Sequence, residues 1–185
     1  MAVELKKRKI SREAYHVMID AGIFGPEDKI ELLNGEIIDM SPIASPHMSA
    51  VNRLTHLFSL ALSGSAIVSV QNPLNLGEFS EPEPDLAIFK FQEDFYENAI
   101  PTANDVLLLI EVADTTLKKD REIKLPLYAA AGIPFLWIVD LENRQIEEYS
   151  HPVNGIYQNR LICRKGDVLI LEELDIEIMF DDILP

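Results

Sequence analysis

The run Val106–Val112 constrains the fold more than any other segment, because it is apolar except for one acidic residue near its end. The letters Val-Leu-Leu-Leu-Ile-Glu-Val predict a central β-strand. A carboxylate inside such a strand is costly unless it is paired or binds a metal ion. Glu111 is therefore a candidate functional residue, and the alternative is that it lies at a solvated strand end.

The segments around this strand predict an α/β fold. Helical patterns cover 11–21, where Ser11 is a candidate N-cap, and 45–63. Between them, Asn34-Gly35 joins two apolar runs, which is the strongest short hairpin signal. Further strands are predicted at 66–70, 84–89, 134–140, 144–149, 157–164 and 167–171.

The second half of the chain adds a helix and a hairpin to this prediction. A helix is expected over 117–131 with a distortion at Pro126, because proline cannot donate the helical hydrogen bond. The last two strands are expected to pair around Lys165-Gly166. The whole pattern predicts a mixed β-sheet flanked by helices, with an N-terminal helix and β-hairpin, as a single domain over 1–185.

Charge and cysteine content restrict the class of protein. The net charge is −15, which opposes binding to phosphate backbones unless a basic patch or metal ions offset it. Cys163 is the one cysteine, so an internal disulfide and a cysteine metal cage are excluded. The basic N-terminus precedes no apolar stretch typical of a secretory signal, and no apolar run has the length of a membrane span. These features favour a cytoplasmic protein.

Acidic residues alternate with prolines in Glu81–Asp85. A residue before proline favours extended backbone, and extended backbone turns every second side chain to the same side. Glu81, Glu83 and Asp85 are therefore expected to point the same way, with Asp85 at the entrance of a strand. The alternative is a solvated acidic turn.

Asp120, Lys124 and Tyr128 stand four residues apart in the predicted helix and share one of its faces. The alternative is an ordinary ion pair on a solvated surface. Combined with Asp85 and Glu111, however, the pattern places two carboxylates and a lysine on consecutive elements. Two hard oxygen ligands suit Mg²⁺ or Mn²⁺, which activate water, and a nearby lysine can stabilise developing negative charge.

An ordered set of motifs covers nearly the whole chain: Glu31–Ile37, Ser41-Pro42 with His47, Pro84-Asp85, Leu108–Val112, Asp120-Arg121 with Lys124, Tyr128–Ile133 and Leu136–Asp140. Together they resemble the Uma-type family of restriction endonucleases, within the PD-(D/E)XK nuclease superfamily. The resemblance implies a restriction-endonuclease-like fold. It also implies Asp85 and Glu111 as metal ligands, with the Val112 carbonyl as a possible third.

The sequence departs from the superfamily pattern at Ala113, where the E-x-K motif has lysine. The resemblance implies that Lys124 replaces that lysine from the following helix. Supporting candidates are Glu31, which is either a third acid of the metal site or an exposed strand charge, and His47, which is either functional or a capping residue. Asp120 is the third. The loop Asp114–Thr116 is expected to cap the helix, and Lys118, Lys119 and Arg121 form the best candidate patch for phosphate contact.

These features favour a Mg²⁺- or Mn²⁺-dependent DNA endonuclease that acts as a homodimer. The alternative is a nucleic-acid-binding or regulatory module that keeps the fold and is weak or inactive as an enzyme, which Ala113 and the charge of −15 favour. A nuclease directed at RNA would use the same chemistry. The sequence identifies neither the recognition site nor a methylase partner.

Overall fold

The computed structural model describes residues 7–25 and 27–185. Its α-helices are α1 (Arg12–Asp20), α2 (Ser45–Ala61), α3 (Leu117–Lys119), α4 (Leu125–Ala130) and α5 (Phe180–Ile183). A π-helical segment, Asp120–Lys124, joins α3 to α4, and 3-10 turns lie at Ala103–Asp105 and Glu172–Leu174. The strands are β1 (Ile30–Leu33), β2 (Glu36–Asp39), β3 (Ala66–Val70), β4 (Leu86–Lys90), β5 (Val106–Ala113), β6 (Phe135–Asp140), β7 (Gln145–Val153), β8 (Ile156–Cys163), β9 (Val168–Leu171) and β10 (Ile176–Met179).

Six strands form one mixed sheet in the order β3-β4-β5-β6-β7-β8. Only β5 and β6 run parallel, and their connection carries α3, the π segment and α4. The central position predicted for the apolar strand is confirmed, since β5 pairs with β4 on one side and with β6 on the other. Within the described residues, no helix is long and apolar enough to cross a membrane.

Alternation along β5 divides the core between the two faces of the sheet. Leu108, Ile110 and Val112 join the cluster that contains the apolar stripe of α2 and the small β9–β10 sheet. Leu109 and Ala113 join the opposite cluster, which includes Tyr128 of α4. Glu111 has the same parity as this second set, so it faces the π segment and α4 rather than α2.

The N-terminal predictions are confirmed. The Ser11 hydroxyl accepts a hydrogen bond from the Ala14 N–H and so caps α1. Strands β1 and β2 form an antiparallel hairpin whose turn residues, Asn34 and Gly35, have φ angles of 53° and 83°. Expectations for the basic N-terminus and for a domain over 1–185 include residues 1–6, which lie outside the described part of the chain.

The helix predicted over 117–131 is present, but its distortion lies before Pro126 rather than at it. Leu125 donates its N–H to the Asp120 carbonyl, five residues back, which widens the turn. Pro126 has no N–H, and its ring would crowd the carbonyl four residues earlier in a regular α-helix. The wide turn over Asp120–Lys124 avoids that conflict.

The predicted hairpin around Lys165-Gly166 is wrong. Strand β8 pairs with β7, and β9 pairs with β10 in a separate two-stranded sheet. Asn154 and Gly155 make the turn between β7 and β8, with φ angles of 51° and 78°. The sequence therefore contains the same Asn-Gly signal here as in the first hairpin, and this signal identifies the true partner of β8.

Candidate active site

Asp85 lies directly before β4, as predicted, and its carboxylate connects three parts of the chain. Its Oδ2 accepts a hydrogen bond from the Val112 N–H at 2.8 Å. Its Oδ1 lies 3.0 Å from His47 Nε2 and 3.3 Å from Gln71 Nε2. Burial alone would raise the pKa of Asp85, but the contacts with His47 and Val112 hold it below its ordinary value.

Glu111 is buried on β5 beneath the π segment, with 3% of its surface exposed. Lys124 Nζ lies 3.0 and 3.2 Å from its two oxygens, and the Tyr128 hydroxyl donates to Oε1 at 2.5 Å. Burial raises the pKa of Glu111 to about 8, although the Lys124 ammonium opposes that rise. The interpretation of Glu111 as a solvated strand end is wrong.

Lys124 connects Glu111 to the N-terminal hairpin. Its Nζ is 3.2 Å from Glu31 Oε2, in addition to its contacts with Glu111. Burial alone would lower the pKa of Lys124, but the carboxylates of Glu111 and Glu31 raise it above its ordinary value. The buried ammonium therefore stays charged, and the interpretation as a solvated surface pair is wrong.

Glu31 on β1 is fully buried, so its interpretation as an exposed strand charge is also wrong. Its Oε1 lies 3.0 Å from Lys119 Nζ. Its Oε2 accepts the Glu83 N–H at 3.3 Å and contacts Lys124. The hairpin thus contributes a third carboxylate to the group around Lys124, and a role for this carboxylate in metal binding stays a prediction.

Asp120 and His47 lie at the edges of the same group. The Asp120 carboxylate is buried and accepts a hydrogen bond from the Thr116 hydroxyl at 2.7 Å, and burial raises its pKa. The Thr116 side chain makes no cap hydrogen bond to α3, so it positions Asp120 instead. His47 lies in the first turn of α2, and its bond to Asp85 raises its pKa.

Most of these side chains line one cavity of about 120 Å³. Asp85, Glu111, Val112, Lys124, Asp120 and His47 all line it. Glu83 lines it beside Asp85, whereas Glu81 is bound to His16 at 2.9 Å and to Arg12 at 3.4 Å. The expected common direction of the acidic residues therefore brings Glu83, but not Glu81, into the cavity.

The predicted phosphate patch is divided between two clusters. Lys119 contacts Glu31, and exposed Lys118 lies 4.0 Å from Glu122. The Arg121 guanidinium instead binds Glu147 on β7, and it lies 3.5 Å from Asp140 on β6. Arg121 thus belongs to a second charged group, and phosphate contact by Lys118, Lys119 and Arg121 stays a prediction.

Sequence reasoning missed Gln71 and the role of Tyr128 as a partner of Glu111. Gln71 follows β3 with a φ of 50°, which turns the chain and brings its amide to Asp85. No local pattern distinguishes this glutamine, because its partner is 14 residues away. The sequence did contain a signal for Tyr128, since it follows Lys124 by four residues and so shares its helical face.

The donor types at this cavity fit Mg²⁺ or Mn²⁺. Among the described residues, no three His, Cys, Asp or Glu side chains converge as a ready ligand set. These ions, however, need only one or two protein carboxylates, since they keep water and take phosphate oxygens as further ligands. Six carboxyl groups lie at or beside this cavity, against two lysines, Lys119 and Lys124: Glu31, Glu83, Asp85, Glu111, Asp114 and Asp120. A divalent cation would offset that excess of negative charge.

Comparison with known proteins agrees with this fold. A family model named Uma2 and described as "Putative restriction endonuclease" matches residues 12–179. The chain belongs to the Uma2 family. No curated protein gives a significant match. One similar solved structure is titled a "putative nuclease belonging to DUF820" from Anabaena variabilis ATCC 29413. It is 14% identical, covers 83% of this chain and 88% of its own, and superposes with a TM-score of 0.66. At this identity, the likeness shows the fold alone.

Proposed function

We propose that this Uma2-family chain is a divalent-metal-dependent endonuclease that hydrolyses phosphodiester bonds of DNA. The observation that supports it best is the buried Glu111–Lys124–Glu31 group beside Asp85, in a cavity where acidic groups outnumber lysines. Buried charge of this kind is costly to folding, and strongly perturbed ionisable groups in a cleft mark a candidate functional site. Membership of a family described as restriction endonucleases agrees with the same reaction.

Asp85 and Glu111, with the Val112 carbonyl, are the residues proposed to hold Mg²⁺ or Mn²⁺, and Glu31 is a further candidate ligand. When bound, the ion would supply a water of lowered pKa and would offset the charge of the phosphate. The main-chain N–H of Val112 already fixes Asp85 against β5. Asp85 and Glu111 are thus held by adjacent strands and need no loop movement to stay together.

Lys124 is proposed to stabilise the negative charge that develops on the phosphate during hydrolysis. Its ammonium group has three N–H donors and remains charged in the cavity. The residue comes from a helix, whereas the E-x-K motif would place it on the strand, where buried Ala113 stands instead. Tyr128 and the π turn set the position of Lys124 relative to Glu111.

The test is nicking of supercoiled plasmid in Mg²⁺ or Mn²⁺. The wild type should nick the plasmid, and Asp85→Ala and Glu111→Ala should not. Glu177→Ala is the matched control, because Glu177 is exposed on β10, outside the cavity lining. Equal nicking by all four proteins would assign the activity to a contaminant and overturn the proposal.

A second candidate is a binding or regulatory module without catalysis. Both Glu111 oxygens are already bound by Lys124, and one also by Tyr128, which favours this candidate because no oxygen of Glu111 is left without a protein donor. Metal titration separates the two. An active site should gain thermal stability with millimolar Mg²⁺ or Mn²⁺, and a module without a metal site should not.

Two further parts of the proposal concern assembly and location. A homodimer would bring two sites to the two strands of a duplex, and light scattering would measure the mass of the particle. The cytoplasmic location expected from the free cysteine stays a prediction.

A further inference from the structure

A second cavity adjoins the candidate active site. It has a volume of about 490 Å³ and lies between α1, the segment that follows α1, and the end of the hairpin. Five residues line both cavities and form the boundary between them: Met40, Ser41, Ile43, Gln71 and Glu83. Gln71 also binds Asp85, so the second cavity begins one side chain away from the proposed metal ligand.

The two cavities differ in what they can hold. The candidate active site, at about 120 Å³, has room for a phosphate group with its ion and water, but a whole nucleotide needs more space. The adjoining cavity lies within the ~300–1,000 Å³ typical of small-molecule sites. A strand whose phosphate reaches Lys124 must therefore place its sugar and base in neighbouring space.

The lining of the second cavity suits a flat heteroaromatic ring. Tyr15 forms its floor, since only 5% of the residue is exposed and its hydroxyl donates to the Ile30 carbonyl at 3.2 Å. The Phe24 ring lies 6.3 Å from the Tyr15 ring and is partly exposed. Ile19 and Ile43 are 41% and 43% exposed at the rim. Unpaired bases stack on aromatic and apolar surfaces of this kind without regard to sequence.

Polar groups stand at the edge of this apolar surface. The Lys29 side chain and the Gln71 amide both line the cavity and can donate to base or phosphate oxygens, and the carboxylates of Asp28 and Glu83 can accept from base N–H groups. A third cavity also adjoins the active site, through Asp114 and Thr115, but among the described residues that line it there is no aromatic side chain. Only one of the two neighbouring cavities therefore offers a stacking surface.

We propose that the cavity beside Tyr15 and Phe24 receives one unstacked nucleobase of the strand whose phosphate lies at Lys124. This inference rests on the proposed function and narrows it to a substrate that is single-stranded or locally opened. Taking a base out of the stack costs a few kcal/mol, and this cost is smallest where the base is already unpaired. The chain should therefore bind single-stranded DNA more tightly than a matched duplex.

The test measures binding of a fluorescent 12-nucleotide DNA strand by anisotropy, in Ca²⁺ to limit cleavage. A series of strands carries one abasic site at successive positions. One position should weaken binding by about tenfold, because stacking of a base is worth ~1–3 kcal/mol. Phe24→Ala should weaken the intact strand similarly and should add little to the abasic effect at that position, as expected of groups in contact.

Two more variants keep the test decisive. Ile19→Glu places a carboxylate, which cannot stack and repels phosphate, at the exposed rim of the cavity and should weaken binding even if Phe24→Ala folds poorly. Phe95→Ala is the control, because Phe95 lines a separate cavity that shares no lining residue with the active site, and it should bind as the wild type does.

Failure of this inference is distinguishable from failure of the proposed function. Plasmid nicking without any position-dependent abasic effect would overturn the base cavity and leave the nuclease proposal standing. A clear abasic effect that Phe24→Ala removes, without nicking, would support the base cavity and contradict the nuclease. Absence of strand binding would overturn the base cavity, and nicking would still decide the function.

Discussion

Two charged clusters built around buried carboxylates receive side chains from the same π segment, and they differ in charge balance. The site cluster is Glu31, Glu111 and Lys124, and the guanidinium cluster is Arg121, Glu147 and Arg160. In the guanidinium cluster, burial alone would raise the pKa of Glu147, but Arg121 and Tyr149 hold it below its ordinary value. In the site cluster, burial raises the pKa of Glu111. The guanidinium cluster is compensated within the fold, whereas the site cluster keeps an acidic excess that a ligand can use.

The π segment positions a side chain in each of the two clusters. Lys124 points to β5 and the hairpin, while Arg121, three residues earlier, points to β6 and β7. Glu147 is fully buried and also contacts Arg160 at 3.0 Å and the Tyr149 hydroxyl at 2.5 Å. We interpret the guanidinium cluster as the contact that holds the π segment on the sheet. The site cluster is the group proposed to take part in hydrolysis.

The largest expected effect is on nicking activity, which should depend on the site cluster and not on the guanidinium cluster. Glu111→Gln keeps the shape of the side chain but removes the negative charge proposed to hold the metal. Nicking should fall about thousandfold, because the proposed ion would contribute several kcal/mol to stabilising the transition state. Glu147→Gln should keep the rate of the folded protein within about threefold. Equal losses in rate for both variants would contradict the division into an acting and an anchoring cluster.

The second prediction is that loss of the carboxylate in the guanidinium cluster lowers the stability of the fold. Glu147→Gln leaves Arg121 and Arg160 without their shared carboxylate and should lower the free energy of unfolding by about 3 kcal/mol. Arg121 is partly exposed, so the loss should lie at the low end for a broken buried pair. Urea denaturation at pH 7 measures it, with the exposed Glu177→Gln as the matched control. A loss below about 0.5 kcal/mol would exclude an anchoring role.

The third prediction is that the two clusters give stability opposite dependences on pH. The pKa of Glu111 is about 8 in the folded protein and 4.5 ordinarily, so between these values the folded state holds a proton that the unfolded chain has lost. Stability from this group therefore falls as pH rises through that window and levels off above it. In metal-free buffer, Glu111→Gln should gain on the order of 2 kcal/mol over the wild type between pH 5 and pH 8.5.

The contribution of Glu147 to stability should have the opposite dependence on pH. Its pKa lies below the ordinary 4.5 in the folded protein, so its contribution is present above that value and is lost as pH falls through the lowered pKa. The stability deficit of Glu147→Gln should therefore be largest near neutral pH and shrink in acid. Denaturation curves of each variant minus the wild type isolate these slopes from the other carboxyl groups. A parallel slope for both differences would contradict the comparison.

The part of this arrangement that the sequence predicts is the part that depends on periodicity. Both the position of Asp85 before β4 and the central place of β5 follow from proline placement and from an unbroken apolar run. The helical spacing likewise predicts that Lys124 and Tyr128 share a face, and both contact Glu111. The family resemblance rests on these same residues.

What the sequence did not predict depends on contacts between distant segments. Nothing local to Glu31 shows that the hairpin packs its carboxylate against Lys124, 93 positions later. The ion pair of Arg121 with Glu147 is equally invisible, since a basic residue at a helix start is ordinarily solvated. Strand β9 illustrates the same limit, because an alternating apolar pattern specifies a buried face but not the partner strand.

The smallest expected effect concerns the π segment that joins the two clusters. Pro126→Ala restores an N–H four residues after Glu122 and removes the ring that disfavours a regular turn there. The helix should then shift toward α geometry over Asp120–Lys124, with a change in stability below about 1 kcal/mol, as expected for a proline that its native backbone accommodates. Wide π turns occur frequently at functional sites, and this one sets the direction from which Lys124 approaches Glu111.

Nicking by Pro126→Ala should therefore fall several-fold, about threefold to tenfold, while the melting temperature changes by only a few degrees. Pro152→Ala on β7 is the control, because it removes a proline from a strand outside the π segment. Unchanged nicking by Pro126→Ala would show that Lys124 keeps its position without the wide turn. Position would then be set by the carboxylates of Glu111 and Glu31 alone, and the guanidinium cluster would stabilise the fold without guiding the site.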